Sequence, residues 1–346
     1  MTRIRFGVVL VAGVALAASG ALAQERMVPA RPLPVPTDVS PQMQAIVSRP
    51  IAPTFNVVPK TIEEWTARQK ASADGAAQLM PALAARLHVK VETRQMGGVT
   101  VYEVTPETVA PKNRNRLLIH IHGGCYVLGG GPGAASEAMM MAGLGGYKVI
   151  SVDYRMPPQA YFPAALDDVV SVYKEALKTH PARSMAVFGS SAGGALTLET
   201  VLRLKQLDLP LPAAMAPGTP MADLTGVGDS FHANAMVDNV LVSPEGFCGP
   251  AAEFYAHGHD LKDPLLSPIY GDYAGLPPAL LTTGTRDLLL SNTVRVHRKL
   301  KDAGVEAELN VFEAEPHGAY SRDDTAPETH QAFGDIAKFF DKHLSQ

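Results

Sequence analysis

Met185-Ala186-Val187-Phe188-Gly189-Ser190-Ser191-Ala192-Gly193-Gly194 is the stretch on which the reading of this chain turns. Four apolar residues make a short strand, a helix-compatible run begins at Ala195, and the turn between them is crowded with glycine. Where a strand feeds straight into a helix, the apex residue is held in a strained backbone conformation with its side chain projecting above the sheet. The residues two positions to either side must then be tiny, because strand and helix nearly touch. Centred on Ser191, those neighbours are Gly189 and Gly193. Centred on Ser190 they are Phe188 and Ala192, which are too large. The pattern therefore predicts Ser191 as the nucleophile, with the following helix pointing its positive dipole end and free N–H groups at developing negative charge. The plainer alternative is a glycine-rich turn without chemistry, and the rest of the chain decides between them.

On either side the chain alternates between short apolar runs and amphipathic stretches. Strands are expected at Leu117 to Ile121, Lys148 to Val152, Met185 to Phe188, Ala213 to Ala216, Ala279 to Thr283 and Ala307 to Phe312. Helices are expected at Ala135 to Leu144, Ala164 to Lys178, Ala192 to Gln206, Ser291 to Ala303 and Thr329 to His343. Near-continuous apolar strands separated by helices make a mostly parallel, doubly wound α/β sheet. Val89, Val91 and Thr93, then Val99, Val101 and Glu103, alternate instead, as in two antiparallel edge strands. Upstream, Thr61 to Leu87 reads as a helix capped by Thr61 with Glu64 three residues on, its apolar stripe carried by Trp65, Leu79, Leu83 and Leu87. Residues 24–60 form a Pro-rich arm with a short helix from Pro41 to Ser48. Residues 226–262 interrupt the rhythm and are expected to be a helical insert above the strand ends. The domain plan is thus 24–87 arm and N-terminal cap helices, 88–225 first part of the core, 226–262 cap insert, and 263–346 second part of the core.

A serine has almost no alkoxide at neutral pH, so a base must take its proton, and a carboxylate must fix the tautomer of that base. Eleven histidines compete. His317, in Glu315-Pro316-His317-Gly318, falls in the loop between the last strand and the last helix. Asp287, in Gly284-Thr285-Arg286-Asp287, directly follows a buried strand. Both are expected at C-terminal strand ends, the edge that also carries Ser191, and the chain order Ser, Asp, His suits the elbow motif. His257 and His259 fall in the insert and are expected to face solvent. Asp167 and Asp168 sit inside a helix pattern. Asp153 follows a strand but precedes Ser191, and is expected to brace a loop with Arg155. His122-Gly123-Gly124-Cys125-Tyr126 follows another buried strand, and its glycines let backbone N–H groups turn toward a tetrahedral oxyanion, with Ala192 N–H as a further donor. His120 and His122 share a strand face, but no third ligand stands at a suitable spacing, so no metal is expected.

The termini and composition add bounds. Arg3 and Arg5, the apolar run from Phe6 to Ala18, and Ala21-Leu22-Ala23 before Gln24 read as an export signal over residues 1–23, cleaved after Ala23, giving a periplasmic or secreted protein with no membrane span. A composition 46% hydrophobic and 18% charged excludes a disordered chain, and a net charge of −4 gives no reason to expect nucleic acid or an anionic membrane surface as partner. An exported chain could pair its two cysteines, Cys125 and Cys248. Their wide separation and the place of Cys125 in the glycine loop favour two buried free thiols instead.

Taken together, His122-Gly-Gly, Asp153-Tyr154-Arg155 running through Pro163-Ala-Ala-Leu-Asp-Asp168, Gly189-Ser-Ser-Ala-Gly-Gly194, Gly284-x-x-Asp287 and His317-Gly318 resemble the hormone-sensitive-lipase-like esterases, bacterial family IV of the α/β-hydrolase superfamily. The resemblance spans about residues 88–346. It implies an α/β-hydrolase fold with a helical cap over an acyl pocket, and hydrolysis of small carboxylic esters without metal or organic cofactor. Ser191, Asp287 and His317 would be catalytic. Gly124, Cys125 and Ala192 would supply the oxyanion N–H groups, with His122, Gly123, Gly189 and Gly193 in support. Two departures stand out: Cys125 occupies a position where members commonly have a third glycine, and Ser190 one where many have Asp. A lactone hydrolase with the same triad and a ligand-binding protein on the same scaffold are the remaining readings. Oligomeric state is not legible in the sequence.

Overall fold

The protein is described here by a computed structural model covering residues 27–345, so the expected export segment lies outside the described residues. The described residues fall into two units, 27–34 and 35–345. Residues 27–34 of the first carry no helix or strand, and the second holds every helix and strand among the described residues.

The N-terminal helices are α1 (Pro41–Val47) and α2 (Ile62–Arg86). Thr61 caps α2 as the sequence predicts. Its hydroxyl accepts the Glu64 N–H at 3.3 Å while the Glu64 carboxylate accepts the Thr61 N–H, a reciprocal box in which the cap residue alone contributes about 1 kcal/mol. Trp65, Leu83 and Leu87 are buried, but Leu79 is exposed, so the apolar stripe is narrower than expected.

The core then runs through β1 (Val89–Met96), β2 (Val99–Pro106), β3 (Leu117–Ile121), α3 (Ser136–Gly145), β4 (Val149–Val152), α4 (Ala164–Ala176), β5 (Met185–Ser190), α5 (Ala192–Gln206) and β6 (Ala214–Gly218). It continues through α6 (Ser230–Ala233), α7 (Cys248–Ala256), β7 (Ala279–Gly284), α8 (Leu290–Asp302), β8 (Ala307–Phe312) and α9 (Pro327–His343). Eight strands form one sheet in the order β1-β2-β4-β3-β5-β6-β7-β8. β1–β2 and β2–β4 pair antiparallel, and the remaining neighbours are parallel. This is the α/β-hydrolase fold.

Strands β3 to β7 are buried along their whole length, which explains their unbroken apolar runs. Their residues nevertheless divide between two cores. Leu117, Ile119 and Ile121, with Met185 and Val187, face α4 and α5; Leu118, with Ala186 and Phe188, faces α3 and α9. The chain leaves β3 toward β4 on one side and returns to β5 on the other. The crevice beyond the C-terminal ends of β3 and β5 is therefore a topological switch point, where open sheets hold their sites.

The segment 226–262 is less helical than the sequence suggests, with α6 and α7 its only helices among the described residues. Between them the backbone turns repeatedly, and a buried carboxylate, Asp238, takes up N–H groups that a helix would have used internally.

Candidate active site

Ser191 sits at the tip of β5, immediately before α5, with φ 62° and ψ −124°. A Cβ on Gly189 would lie 2.0 Å from the Ile121 carbonyl oxygen, and one on Gly193 would lie 1.9 Å from that same atom. The steric rule that selects Ser191 over Ser190 is thus a statement about one oxygen at the end of β3. The Ser191 N–H donates to Gly218 O at 3.0 Å, tying the elbow to β6. The Ser190 hydroxyl is taken up by other side chains: it donates to Glu137 Oε1 at 2.6 Å and meets the Tyr320 hydroxyl at 2.5 Å.

Asp287 and His317 arrive from the ends of β7 and β8. Their side chains meet Nδ1 to Oδ1 at 3.0 Å, with Asp287 fully buried and His317 nearly so. The Asp287 carboxylate also accepts the Leu289 N–H and the Thr283 hydroxyl, each at 2.8 Å, and the Thr219 hydroxyl. Burial alone would raise this carboxyl. The charge and hydrogen bond of His317, with the Thr219 hydroxyl and Leu289 N–H, outweigh it and hold the group below the ordinary aspartate value, hence ionised. An ionised, immobilised Asp287 fixes the Nδ1–H tautomer of His317 and leaves Nε2 as the free base. Ser191 and His317 line the same cavity.

The glycine loop follows β3. Gly124 has φ 112°, and Cys125 and Tyr126 have φ 54° and 65°, so three successive residues lie in the left-handed region. Glycine adopts it freely, whereas a residue with a Cβ pays about 1–2 kcal/mol. Among the described residues, the N–H groups of Gly124, Cys125 and Ala192 donate no hydrogen bond. Unpaired donors at the end of β3 and the start of α5 are what an oxyanion hole requires. Gly123 leaves room for the nucleophile, since a Cβ there would lie 3.2 Å from Ser191 Cβ. His122 stacks on Tyr154 with ring centroids 4.0 Å apart, and its Nδ1 meets Gly123 O at 2.8 Å. Burial pushes its pKa down to about 3, so it is a neutral brace for the loop.

Two expectations are corrected. Cys125 and Cys248 are not free thiols but a disulfide, with Cα atoms 5.3 Å apart across 123 residues of sequence. It forms because Trp65, stacked on Phe254 at 4.7 Å, gathers α2, α7 and the glycine loop into one apolar cluster that contains both cysteines. And Arg155 is paired with Asp168, Nη2 to Oδ1 at 2.7 Å, rather than with Asp153, which instead accepts the Gly131 N–H at 2.9 Å. The His120 ring is taken up by Ser151 and Glu137. His257 and His259 are exposed, as expected.

The sequence reading missed two contributors. Thr219 touches both Asp287 and His317 Nδ1, the latter at 3.0 Å. Asp238 is wholly buried, and its carboxylate accepts backbone N–H groups of Val240 and Leu241 and of Leu288 and His317, the last two at 2.8 and 3.3 Å. Burial raises its carboxyl, the charge of Asp287 adds to this, and His317 with the N–H groups opposes it.

The cavity above the triad has a volume of about 560 Å³ and is also lined by Leu128, Val240, Leu241, Phe247, Arg68 and Arg322. That size suits a small organic substrate.

A model of the alpha/beta hydrolase fold family matches residues 118–321. An acetyl-hydrolase of Streptomyces hygroscopicus is 34% identical over 221 residues, covering 63% of this chain and 72% of that protein. Among solved structures, that of esterase E25 superposes with a TM-score of 0.89 at 44% identity, covering 92% of this chain and 99% of that one. An esterase from the bacterial hormone-sensitive lipase family gives a TM-score of 0.76 at 27% identity, covering 88% and 99%.

Proposed function

Because the chain belongs to the alpha/beta hydrolase fold family, we propose that it is a serine esterase of the bacterial hormone-sensitive-lipase group, hydrolysing small carboxylic esters with Ser191, His317 and Asp287. The observation that carries this reading is the buried His317–Asp287 pair opening on the same cavity as the strained Ser191. The relatives named as esterases and as an acetyl-hydrolase support the substrate class.

In this reading Ser191 Oγ attacks the ester carbonyl while His317 Nε2 takes its proton. The oxyanion is held by N–H groups of Gly124, Cys125 and Ala192, each such donor being worth about 3 kcal/mol of barrier. His317 then protonates the leaving alcohol, stabilised as imidazolium by Asp287. Water, deprotonated by the same histidine, releases the acid from the acyl-enzyme and restores Ser191. A fluorophosphonate probe should label the wild type and Ser190→Ala but not Ser191→Ala, and only Ser191→Ala should lose hydrolysis of p-nitrophenyl acetate. Labelling that survives at full strength in Ser191→Ala would refute the assignment. A panel of linear esters and lactones of matched acyl size would define how far the cavity accepts ring-closed substrates.

For location we propose export to the periplasm or beyond. The basic and apolar N-terminal segment supports this, and so does the Cys125–Cys248 disulfide, a bond kept in oxidising compartments. Cell fractionation with mass spectrometry of the mature N-terminus tests it; an intact residue 1 on a cytoplasmic protein would overturn it.

A further inference from the structure

We infer that Cys248 is a positioning residue for the oxyanion hole: its disulfide holds Cys125 in the left-handed backbone conformation that aims the Cys125 N–H at the reacting carbonyl. The inference rests on the reading of Ser191 as nucleophile and of Cys125 as an oxyanion donor.

Three observations converge. Cys125 has a Cβ and yet adopts φ 54°, a conformation that glycine takes readily and cysteine does not. On its C-terminal side Tyr126 is in the same region, so the chain there cannot relax by shifting strain onto a permissive neighbour. And the Cys125 side chain is anchored to the first residue of α7, outside the loop, in a cluster that includes Trp65 of α2. The Cys125 N–H belongs to the planar Gly124–Cys125 peptide, whose carbonyl accepts the Val127 and Leu128 N–H groups across the turn that Cys125 and Tyr126 form, so the bond that holds Cys125 in place holds this turn and, with it, the direction of the N–H. Freed from Cys248, a cysteine at this position gains by rotating back to negative φ, which opens the turn over Gly124 O and lets the Gly124–Cys125 peptide swing its N–H away from the hole.

The rest of the loop is held independently. The Tyr154 hydroxyl donates to His122 O at 2.9 Å, and His122 Nδ1 meets Gly123 O at 2.8 Å. Opening the disulfide should therefore reorient one donor without dismantling the site, which makes the effect one on kcat rather than on substrate binding. Glycine at 125 should make the disulfide dispensable, because it reaches the left-handed region without being held there.

The test compares wild type, Cys248→Ser and the double variant Cys125→Gly/Cys248→Ser on p-nitrophenyl acetate, well below each melting temperature. Cys248→Ser should lose about tenfold or more in kcat with KM changed less than threefold, since full loss of one oxyanion donor costs about a hundredfold or more. Its affinity for a trifluoromethyl ketone, which forms a tetrahedral oxyanion on the serine, should weaken in proportion. The double variant should recover kcat to within about threefold of wild type although it has no disulfide. Should Cys248→Ser fail to fold, wild type opened with dithiothreitol and capped with iodoacetamide replaces it. Full kcat after loss of the bond would overturn the inference. So would a double variant as impaired as the single one, since the fault would then lie in a displaced α7. An inactive wild type that no serine probe labels would instead refute the underlying reading of the site.

Discussion

Asp238 Oδ2 accepts the backbone N–H of Leu288 at 2.8 Å, one residue beyond the Asp287 carboxylate that orients His317. The same oxygen accepts the His317 N–H at 3.3 Å, so one buried side chain fixes the backbone at both members of the acid–base pair. Asp238→Ala would orphan four N–H groups, those of Val240, Leu241, Leu288 and His317. Each buried donor left unpaired costs about 1–3 kcal/mol. The expected outcome is a loss of several kcal/mol in urea unfolding and a fall in kcat of about tenfold or more. Wild-type kcat in a folded Asp238→Ala protein would show that the clamp is not needed.

Thr219 acts on the charge of the pair rather than on its backbone. Its hydroxyl reaches the Asp287 carboxylate, and a hydrogen bond to a charged group is worth about 1.5–3 kcal/mol. Thr219→Val should lower kcat/KM for p-nitrophenyl acetate by roughly 10-fold to 100-fold, while Thr219→Ser, which keeps the hydroxyl, should retain most of it. Equal losses in the two variants would assign the effect to packing.

Much of this site was legible because its determinants are local. The elbow requires small residues two positions from the nucleophile, so Gly189, Ser191 and Gly193 declare it within five residues. Asp287 and His317 were legible one step further out, through their position just after strands whose apolar runs mark them. Asp238 was not, because its partners lie 50 and 79 residues away and an aspartate in a polar, turn-rich segment looks like many others. The disulfide was misjudged for a related reason. Neither cysteine carries a spacing signal, and what joins them is a cluster built by Trp65, Phe247 and Phe254 from two distant segments. The pairing of Arg155 with Asp168 was likewise set by how α4 packs back on the loop rather than by proximity in sequence.

Glycine substitutions should separate the elbow from ordinary helix interior. A Cβ at Gly193 would meet Ile121 O at 1.9 Å and His122 O at 2.7 Å, both main-chain atoms with no freedom to move aside. At Gly334 in α9 a Cβ meets nothing within 4 Å. Gly334→Ala should therefore stabilise the protein by about 0.5–1 kcal/mol through helix propensity. Gly193→Ala should yield protein that is unfolded or destabilised by more than about 3 kcal/mol. Melting curves of the two variants check both signs. A stable, active Gly193→Ala would contradict the close approach of β3 and α5 on which the choice of Ser191 rests.

Glu315, two residues before His317, should make stability fall as pH rises. Its carboxyl is fully buried and has no well-formed hydrogen bond, only the Tyr320 N–H on its side. Burial first, then the charges of Glu328 and Asp287, push it up to about 8 from an unfolded value of 4.5. Below the unfolded value both states carry the proton, and the group costs nothing. Between 4.5 and about 8 the folded state keeps a proton that the unfolded state has released, so each step up in pH favours unfolding. Above about 8 both states are ionised and the slope from this group ends. Glu315→Gln holds a neutral isostere at every pH and removes that slope. Its melting temperature should match wild type near the unfolded value of 4.5 and exceed it by roughly 3 °C or more above the folded value of about 8. Parallel melting curves for the two proteins across that whole range would mean that Glu315 is ionised in the fold and compensated by its surroundings.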